Sequence, residues 1–147
     1  MKKLIQNSWT AAALVAVFFV LSSFRMPGVH TFQVYMDSKL IADQYVYTTR
    51  ELSIPKLTLD HATSITIKYS ECNKTVTGRT LTIKDEQDKV LKEWHFDGTT
   101  SGYKDPMTIK VSDVIALRPK ATLKLIYSSE EFTAGQQVAS IVTGKDA

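Results

Sequence analysis

The chain is poor in cysteine, in charge of one sign and in long apolar runs, and each shortage excludes a class of structure or function. Only Cys72 among the 147 residues is a cysteine, so no disulfide can form within the chain. The formal net charge is only +3 and like charges form no run, whereas nucleic-acid binding requires a basic face or stripe. No apolar run approaches the ~20 residues that a membrane-spanning helix needs. We therefore expect no nucleic-acid partner and no membrane span in the mature protein.

Catalytic and metal-binding signatures are missing as well. We find no nucleophile elbow, P-loop or dinucleotide fingerprint. The acidic stretch 85–88 lacks the glycine and the distal glutamate of an EF-hand loop. The three histidines have none of the short spacings of a zinc motif, although residues distant in sequence can converge in space: His30, His61 and His95. We expect no catalytic residue, no bound metal and no cofactor.

The N-terminus has the three parts of a secretory signal peptide, which we assign to residues 1–23. Lys2 and Lys3 supply the positive charge, residues 11–21 are continuously apolar, and residues 22–23 are small. An uncleaved N-terminal anchor is the alternative. Cleavage lowers the count of lysine and arginine from 18 to 16 against 15 acidic residues, which leaves a mature charge near +1. The segment predicts export, to the periplasm or the cell exterior.

A hairpin over residues 79–96 is the strongest structural signal. Apolar residues alternate with polar ones on both sides of the acidic stretch 85–88, the period-2 pattern of half-buried strands. A four-residue loop would place five side chains on one apolar face: Leu81, Ile83, Val90, Trp94 and Phe96. Lys92 is the misfit on that face, and we expect it to extend along the Trp94 ring or to be turned out by a bulge. Trp94→Ala should rank among the most destabilising single changes.

Residues 30–47 predict a second hairpin, with a three-residue loop at residues 37–39. That register pairs Val34 with Ala42 and creates one apolar face: Phe32, Val34, Met36, Leu40, Ala42 and Val46. The opposite face carries an aromatic-aliphatic patch, which is the best candidate binding surface in the chain: Tyr35, Ile41, Tyr45 and Tyr47. Tyrosine is enriched in interface cores. Coverage of this face by another strand is the alternative.

The remaining segments continue the pattern of short strands, with a single helical turn at residues 112–117 and Ser112 as its N-cap. The chain as a whole predicts an all-β fold of roughly eight or nine short strands, either a sandwich or a barrel. We favour a single antiparallel β-sandwich over residues 30–143. A linker at residues 24–29 would precede it, and a tail at residues 144–147 would follow.

Three segments resemble small exported, β-rich proteins of Bacteroidota that have no established activity: ITIKYSEC, LTIKDEQDKVLKEWHF and LKLIYSSEEFTAGQQVASI. The resemblance covers most of the mature chain. It implies a location in the bacterial envelope and a single sandwich domain, and no catalytic residue follows from it.

These observations together predict a non-catalytic binding module of the bacterial envelope, whose partner is another envelope protein or a glycan. A small hydrolase or metal-dependent enzyme is the alternative, and it requires His61 or His95 beside a carboxylate or a serine in a concave pocket. A structural subunit of a larger assembly is a third hypothesis, marked by a larger and more apolar interface.

Overall fold

The computed structural model describes residues 29–46, 51–117 and 121–142, which form eleven strands and one short helix. In chain order these are β1 (His30–Met36), β2 (Lys39–Val46), β3 (Lys56–Thr58), β4 (Ser64–Glu71), β5 (Thr75–Val76), β6 (Arg79–Lys84), β7 (Val90–Phe96), β8 (Thr100–Ser101), β9 (Met107–Lys110), α1 (Val111–Ile115), β10 (Leu123–Ser128) and β11 (Gln136–Val142). The predicted signal peptide, residues 24–28 of the predicted linker, Tyr47 and the predicted tail lie outside the described residues.

The strands form two larger sheets and one small one. The first sheet has the order β2-β1-β4-β9 and is antiparallel throughout, while the second has the order β3-β11-β10-β6-β7. The prediction of a β-rich fold is confirmed, but the prediction that all strands are antiparallel is wrong, because β3 pairs parallel to β11. Two short strands, β5 and β8, pair with each other in a separate two-stranded sheet.

Both larger sheets contribute side chains to one hydrophobic core. Tyr69 of β4 stacks on Tyr127 of β10, with ring centroids 3.8 Å apart, so the inner faces of the two sheets are in direct contact. The largest side chains that are fully buried come from both sheets: Tyr127, Phe32, Leu57, Ile65, Ile67, Leu81, Ile83, Met107, Ile109, Leu125, Ile141 and Val34. Alternate residues along β1 and β4 enter this core, as a period of two requires.

A buried carboxylate also joins the two sheets. Glu71, at the end of β4, is 4% exposed, and its Oε1 accepts a 2.8 Å hydrogen bond from the Tyr127 hydroxyl and a 2.5 Å hydrogen bond from Ser129 Oγ. Burying a carboxylate is costly unless it accepts hydrogen bonds, and both donors come from the second sheet or the loop after it. Burial raises the pKa of the Tyr127 hydroxyl, and the hydrogen bond to Glu71 acts in the same direction, so this donor stays protonated.

The hairpin predicted at residues 79–96 is confirmed, but its register is wrong by two residues, since the four-residue loop would have paired Leu81 with Lys92. Leu81 pairs with Trp94, and a bulge between Ile83 and Lys84 places Lys84 opposite Val90. Trp94 and Phe96 keep their inward side and pack against the core, because a shift of two residues preserves the face. Val90 lies before the bulge on its strand and is 47% exposed, which contradicts its predicted place in the core.

Lys92 extends along Trp94 as expected, and the bulge lies one residue pair from it. Its Nζ is 5.1 Å from the centroid of the indole ring and 3.8 Å from a carboxylate oxygen of Asp113 on α1.

The helix itself begins at Val111, one residue earlier than predicted, and Lys110 rather than Ser112 is its N-cap. Trp94 is only half-buried on the edge strand β7, so the predicted large effect of Trp94→Ala stays a prediction.

The hairpin of β1 and β2 is confirmed with a different turn. Met36 pairs with Lys39, which leaves a two-residue turn, and Ile41 then forms a bulge that restores the predicted pair of Val34 and Ala42. Leu40 pairs with Tyr35 and is 47% exposed, so its predicted place in the core is wrong.

Asp37 explains the shorter turn. Its φ of 52° supplies the left-handed conformation for which no glycine is present, and Asp tolerates this region better than most residues. Its Oδ1 also accepts hydrogen bonds from the backbone N–H groups of Thr63 and Ser64, each at 3.0 Å. The Thr63 hydroxyl donates to the same oxygen at 2.6 Å, and this hydrogen bond together with the two from the backbone lowers the pKa of Asp37. The three hydrogen bonds tie the turn to the start of β4.

No helix in the part of the chain that the structure describes is long and apolar enough to cross a membrane.

Two glycines provide a matched test of the turn that precedes β11. Gly135 has a φ of 72°, and a Cβ there would lie 2.9 Å from the carbonyl oxygen of Tyr127, whereas a Cβ on Gly98, at a φ of 90°, would meet no atom within 4 Å. Gly98→Ala should lower the free energy of unfolding by about 1–2 kcal/mol through backbone strain alone. Gly135→Ala should lower it by roughly 2–5 kcal/mol, because overpacking is added to strain. Urea denaturation measures both, and equal losses would contradict the close approach at Gly135.

The cross-sheet hydrogen bond of Tyr127 can be tested by removing one hydroxyl group. Tyr127→Phe keeps the stacked ring but leaves Glu71 with one of its two donors, so we expect a loss of about 1–3 kcal/mol in the free energy of unfolding. Tyr69→Phe is the control, because the Tyr69 hydroxyl shares a 3.2 Å hydrogen bond with the half-buried His30 and not with Glu71. Chemical denaturation at pH 7 compares the two. A loss in Tyr69→Phe as large as that in Tyr127→Phe would show that the Glu71 hydrogen bond has no special role.

Candidate functional site

The outer face of the first sheet carries two of the predicted tyrosines. Tyr45 on β2 pairs with Thr31 on β1, and Tyr35 lies four residues further along β1. The side chains of Thr31, Tyr35 and Tyr45 lie on the side of the sheet opposite to the buried Phe32 and Val34. Tyr45 is 56% exposed and Tyr35 is half-buried. We call this surface, around Tyr35, Tyr45 and the Tyr103 described below, the tyrosine face.

A third tyrosine joins this surface from a distant part of the chain. Tyr103 lies in the loop between β8 and β9, and its side chain shares a hydrogen bond with that of Thr31. Partial burial raises the pKa of the Tyr103 hydroxyl; the Thr31 hydrogen bond opposes this rise, and the charge of Asp43 adds to it. Tyr45 and Tyr35 are also close enough to raise this pKa. Tyr103 therefore lies next to Thr31 and within electrostatic range of the other two tyrosines.

The loop that carries Tyr103 is attached to the second sheet. Arg79 of β6 is 5% exposed, and its Nη1 donates a 2.7 Å hydrogen bond to the carbonyl oxygen of Asp105. The pairing of β8 with β5 holds the other end of the loop. The sequence offers little to identify Tyr103, because the glycine, serine, aspartate and proline residues of the segment 97–106 indicate only a loop. Its contact with Thr31 depends on how the chain crosses from one sheet to the other.

A row of polar side chains crosses the tyrosine face between the aromatic rings. Gln33 pairs with Asp43 on one side and with Lys68 on the other, so the three lie side by side on β2, β1 and β4. Gln33 Nε2 donates a 3.0 Å hydrogen bond to Asp43 Oδ2, and the Tyr35 hydroxyl donates one of 3.0 Å to Gln33 Oε1. Lys68 Nζ is 5.0 Å from the centroid of the Tyr35 ring. These contacts fix the positions of the polar groups before any ligand arrives.

The four predicted binding residues have different outcomes. Tyr35 and Tyr45 lie on one face as expected, and no strand pairs with the outer edge of β2 in the described ranges. Ile41 is the bulge residue and is 37% exposed, while Leu40 rather than Ile41 is the partner of Tyr35. Tyr47 lies outside the described residues. Leu40 and Tyr103 are the members of this surface that the sequence analysis did not include.

The three histidines have separate surroundings. His95 is highly exposed. Its Nδ1 lies 3.2 Å from Thr80 Oγ1, and its Nε2 lies 3.8 Å from Glu93 Oε2. His30 contacts Tyr69 and Phe132 at one end of the core, and His61 is exposed in the turn after β3. No three histidine, cysteine, aspartate or glutamate side chains in the described ranges are grouped as metal ligands would be.

Cys72 is half-buried in the turn between β4 and β5, where it and Asn73 both have positive φ.

Neither protein-family models nor curated proteins offer a match to this sequence. The chemistry of the tyrosine face therefore has to be inferred from its own residues.

His30 gives a prediction about pH. Burial lowers the pKa of His30 below 6.5; the carboxylate of Glu71 opposes this shift, and the charge of Lys74 adds to it. The unfolded chain therefore binds a proton at His30 more readily than the folded protein does. Above pH 6.5 His30 is neutral in both states, so it does not change the free energy of unfolding. As the pH drops through 6.5 toward the lower pKa of the folded protein, the unfolded state gains the proton first and stability falls.

His30→Gln should thus lose less thermal stability between pH 7.5 and pH 5.5 than the wild type does. Differential scanning calorimetry at the two pH values measures the difference. The other histidines are common to both proteins, so they cancel in the comparison. An identical pH dependence in the two proteins would show that His30 is not held in its neutral form.

Proposed function

We propose that this protein is a non-catalytic binding module of the bacterial envelope, exported to the periplasm or the cell exterior, and that the tyrosine face is its recognition surface. The observation that carries the proposal is the placement of Tyr35 and Tyr45 on one outer sheet face, with Tyr103 against Thr31 of the same face. Tyrosine supplies a large rigid contact area at a low cost in conformational entropy. It also offers a hydroxyl group that can bond to a partner.

The proposed domain is a single β-sandwich of the two larger sheets. The stacking of Tyr69 on Tyr127 and the shared core support it. In such a fold one side of each strand holds the core, and the other side is available for contacts. The tyrosine face is built on the central strand β1 and the edge strand β2, so a rigid sheet positions two of its three rings.

The polar row is already hydrogen-bonded within the protein, which supports a binding role over a catalytic one. The Asp43 carboxylate accepts a hydrogen bond from Gln33, and Gln33 accepts one from Tyr35. A general base or a nucleophile needs a partner that shifts its pKa or takes up its proton. Neither tyrosine nor glutamine takes up a proton at neutral pH.

Removing the ring of Tyr45 should abolish binding without unfolding the protein. We expect Tyr45→Ala to reduce retention of an envelope component on the immobilised full chain by tenfold or more. Because Tyr45 is 56% exposed, the free energy of unfolding should change by only about 0.5 kcal/mol. The measurement compares retention from an envelope extract, separated into its protein and polysaccharide fractions, with thermal unfolding of the same samples.

Val90→Ala is the control, because Val90 is 47% exposed on β7 in the other sheet. Wild-type retention in Tyr45→Ala, or equal losses in both variants, would refute the proposed surface. A large loss of stability in Tyr45→Ala would mean that this ring belongs to the packing of the fold.

A further inference from the structure

The tyrosine face alternates aromatic and hydrogen-bonding rows along the strands. The row of Tyr45 and Thr31 comes first, the row of Asp43, Gln33 and Lys68 second, and the row of Tyr35 third. At ~3.3 Å per residue, neighbouring rows lie ~6.6 Å apart, and the outer two lie ~13 Å apart. An extended ligand that lies parallel to the strands would therefore meet an aromatic ring, a polar row and a second aromatic ring in turn.

Sugar rings have the chemistry that fits this alternation. One face of a pyranose ring presents C–H groups that pack on an aromatic ring, while its rim presents hydroxyl groups that both donate and accept hydrogen bonds. Asp43 can accept, Lys68 can donate, and Gln33 can do both, so the central row matches a hydroxyl-rich rim. The exposed ring of Tyr45 on one side and the half-buried ring of Tyr35 on the other supply the apolar surfaces.

We propose that the tyrosine face binds an uncharged oligosaccharide, an inference that rests on the binding function proposed above. The core of a protein–protein interface is depleted of charge and packed with apolar groups. Here an acid, an amide and a lysine occupy the centre of the patch, and that arrangement favours a glycan over a protein surface. Asp43 and Lys68 have opposite charges in the same row, so the face attracts neither an acidic nor a basic ligand over a neutral one.

Preorganisation supports the same ligand class. A glycan presents many hydroxyl groups that water already satisfies, so binding requires protein groups that are fixed in advance. The hydrogen bonds from Tyr35 to Gln33 and from Gln33 to Asp43 fix the amide and the carboxylate, each at 3.0 Å. Lys68, whose ammonium lies 5.0 Å from the centroid of the Tyr35 ring, is the third polar group of the row.

Isothermal titration calorimetry of the full chain tests the inference. The probes are neutral hexasaccharides of β-linked glucose, xylose and mannose and of α-linked glucose, with oligogalacturonate and a sulfated glycosaminoglycan as acidic probes. We expect saturable binding of at least one neutral probe. Tyr45→Ala should weaken it tenfold or more, and Gln33→Ala fivefold or more. The matched controls are Val90→Ala and Gln87→Ala, both exposed and outside the tyrosine face, and each should bind as the wild type does.

The possible outcomes separate the two proposals. Binding of only the acidic probes, or binding that survives Tyr45→Ala and Gln33→Ala, would overturn the inference. If no glycan binds but a purified envelope protein does, and Tyr45→Ala abolishes that binding, the module function stands and the glycan inference falls. If the tyrosine variants alter binding to no glycan and to no envelope component, both proposals fall.

Discussion

The contact between Tyr127 and the end of β4 is the constraint on which the arrangement of the two sheets depends. The Tyr127 ring stacks on Tyr69 at 3.8 Å, and its hydroxyl donates to the buried carboxylate of Glu71. Stacking alone would tolerate sliding of one sheet over the other. A buried carboxylate does not, because losing a donor leaves it unsatisfied in a medium where that is costly. Glu71 also pairs in register with His30, so the same contact fixes β1 and the outer face built on it.

Period-2 alternation made both hairpins predictable, and their bulges explain where the prediction was wrong. In the first hairpin, a three-residue loop was expected. The protein uses a two-residue turn and then inserts Ile41 as a bulge. The turn is one residue shorter than expected, and the bulge adds that residue back. Val34 and Ala42 therefore pair as predicted, while Leu40, which lies between turn and bulge, is turned outward. Val90 is turned outward for the same reason in the second hairpin. Bulge positions depend on contacts with neighbouring strands, such as those of Asp37 with β4, which a linear pattern does not contain.

Part of the candidate site could be predicted from local sequence, and part is brought together only by the fold. Tyr35 and Tyr45 could be predicted, because they belong to a single hairpin whose two faces follow from alternation. Tyr103 could not, because its place beside Thr31 depends on a loop that leaves one sheet and enters the other. The buried Arg79 holds that loop through the Asp105 carbonyl. A buried arginine of the second sheet thus helps to position part of the surface.

The edge position of β2 bears on how this surface recognises a partner. An open edge strand invites another strand to pair with its backbone. The Ile41 bulge interrupts the regular spacing of β2, and the exposed charges of Lys39 and Asp43 flank it. Both features oppose strand addition, and the bulge also turns Leu40 to the same side as Tyr35. Recognition through side chains on the open face is therefore favoured over recognition through the backbone at the edge. Along β1 and β2, inward residues hold the core and outward residues make contacts, so changes on one side leave the other largely intact.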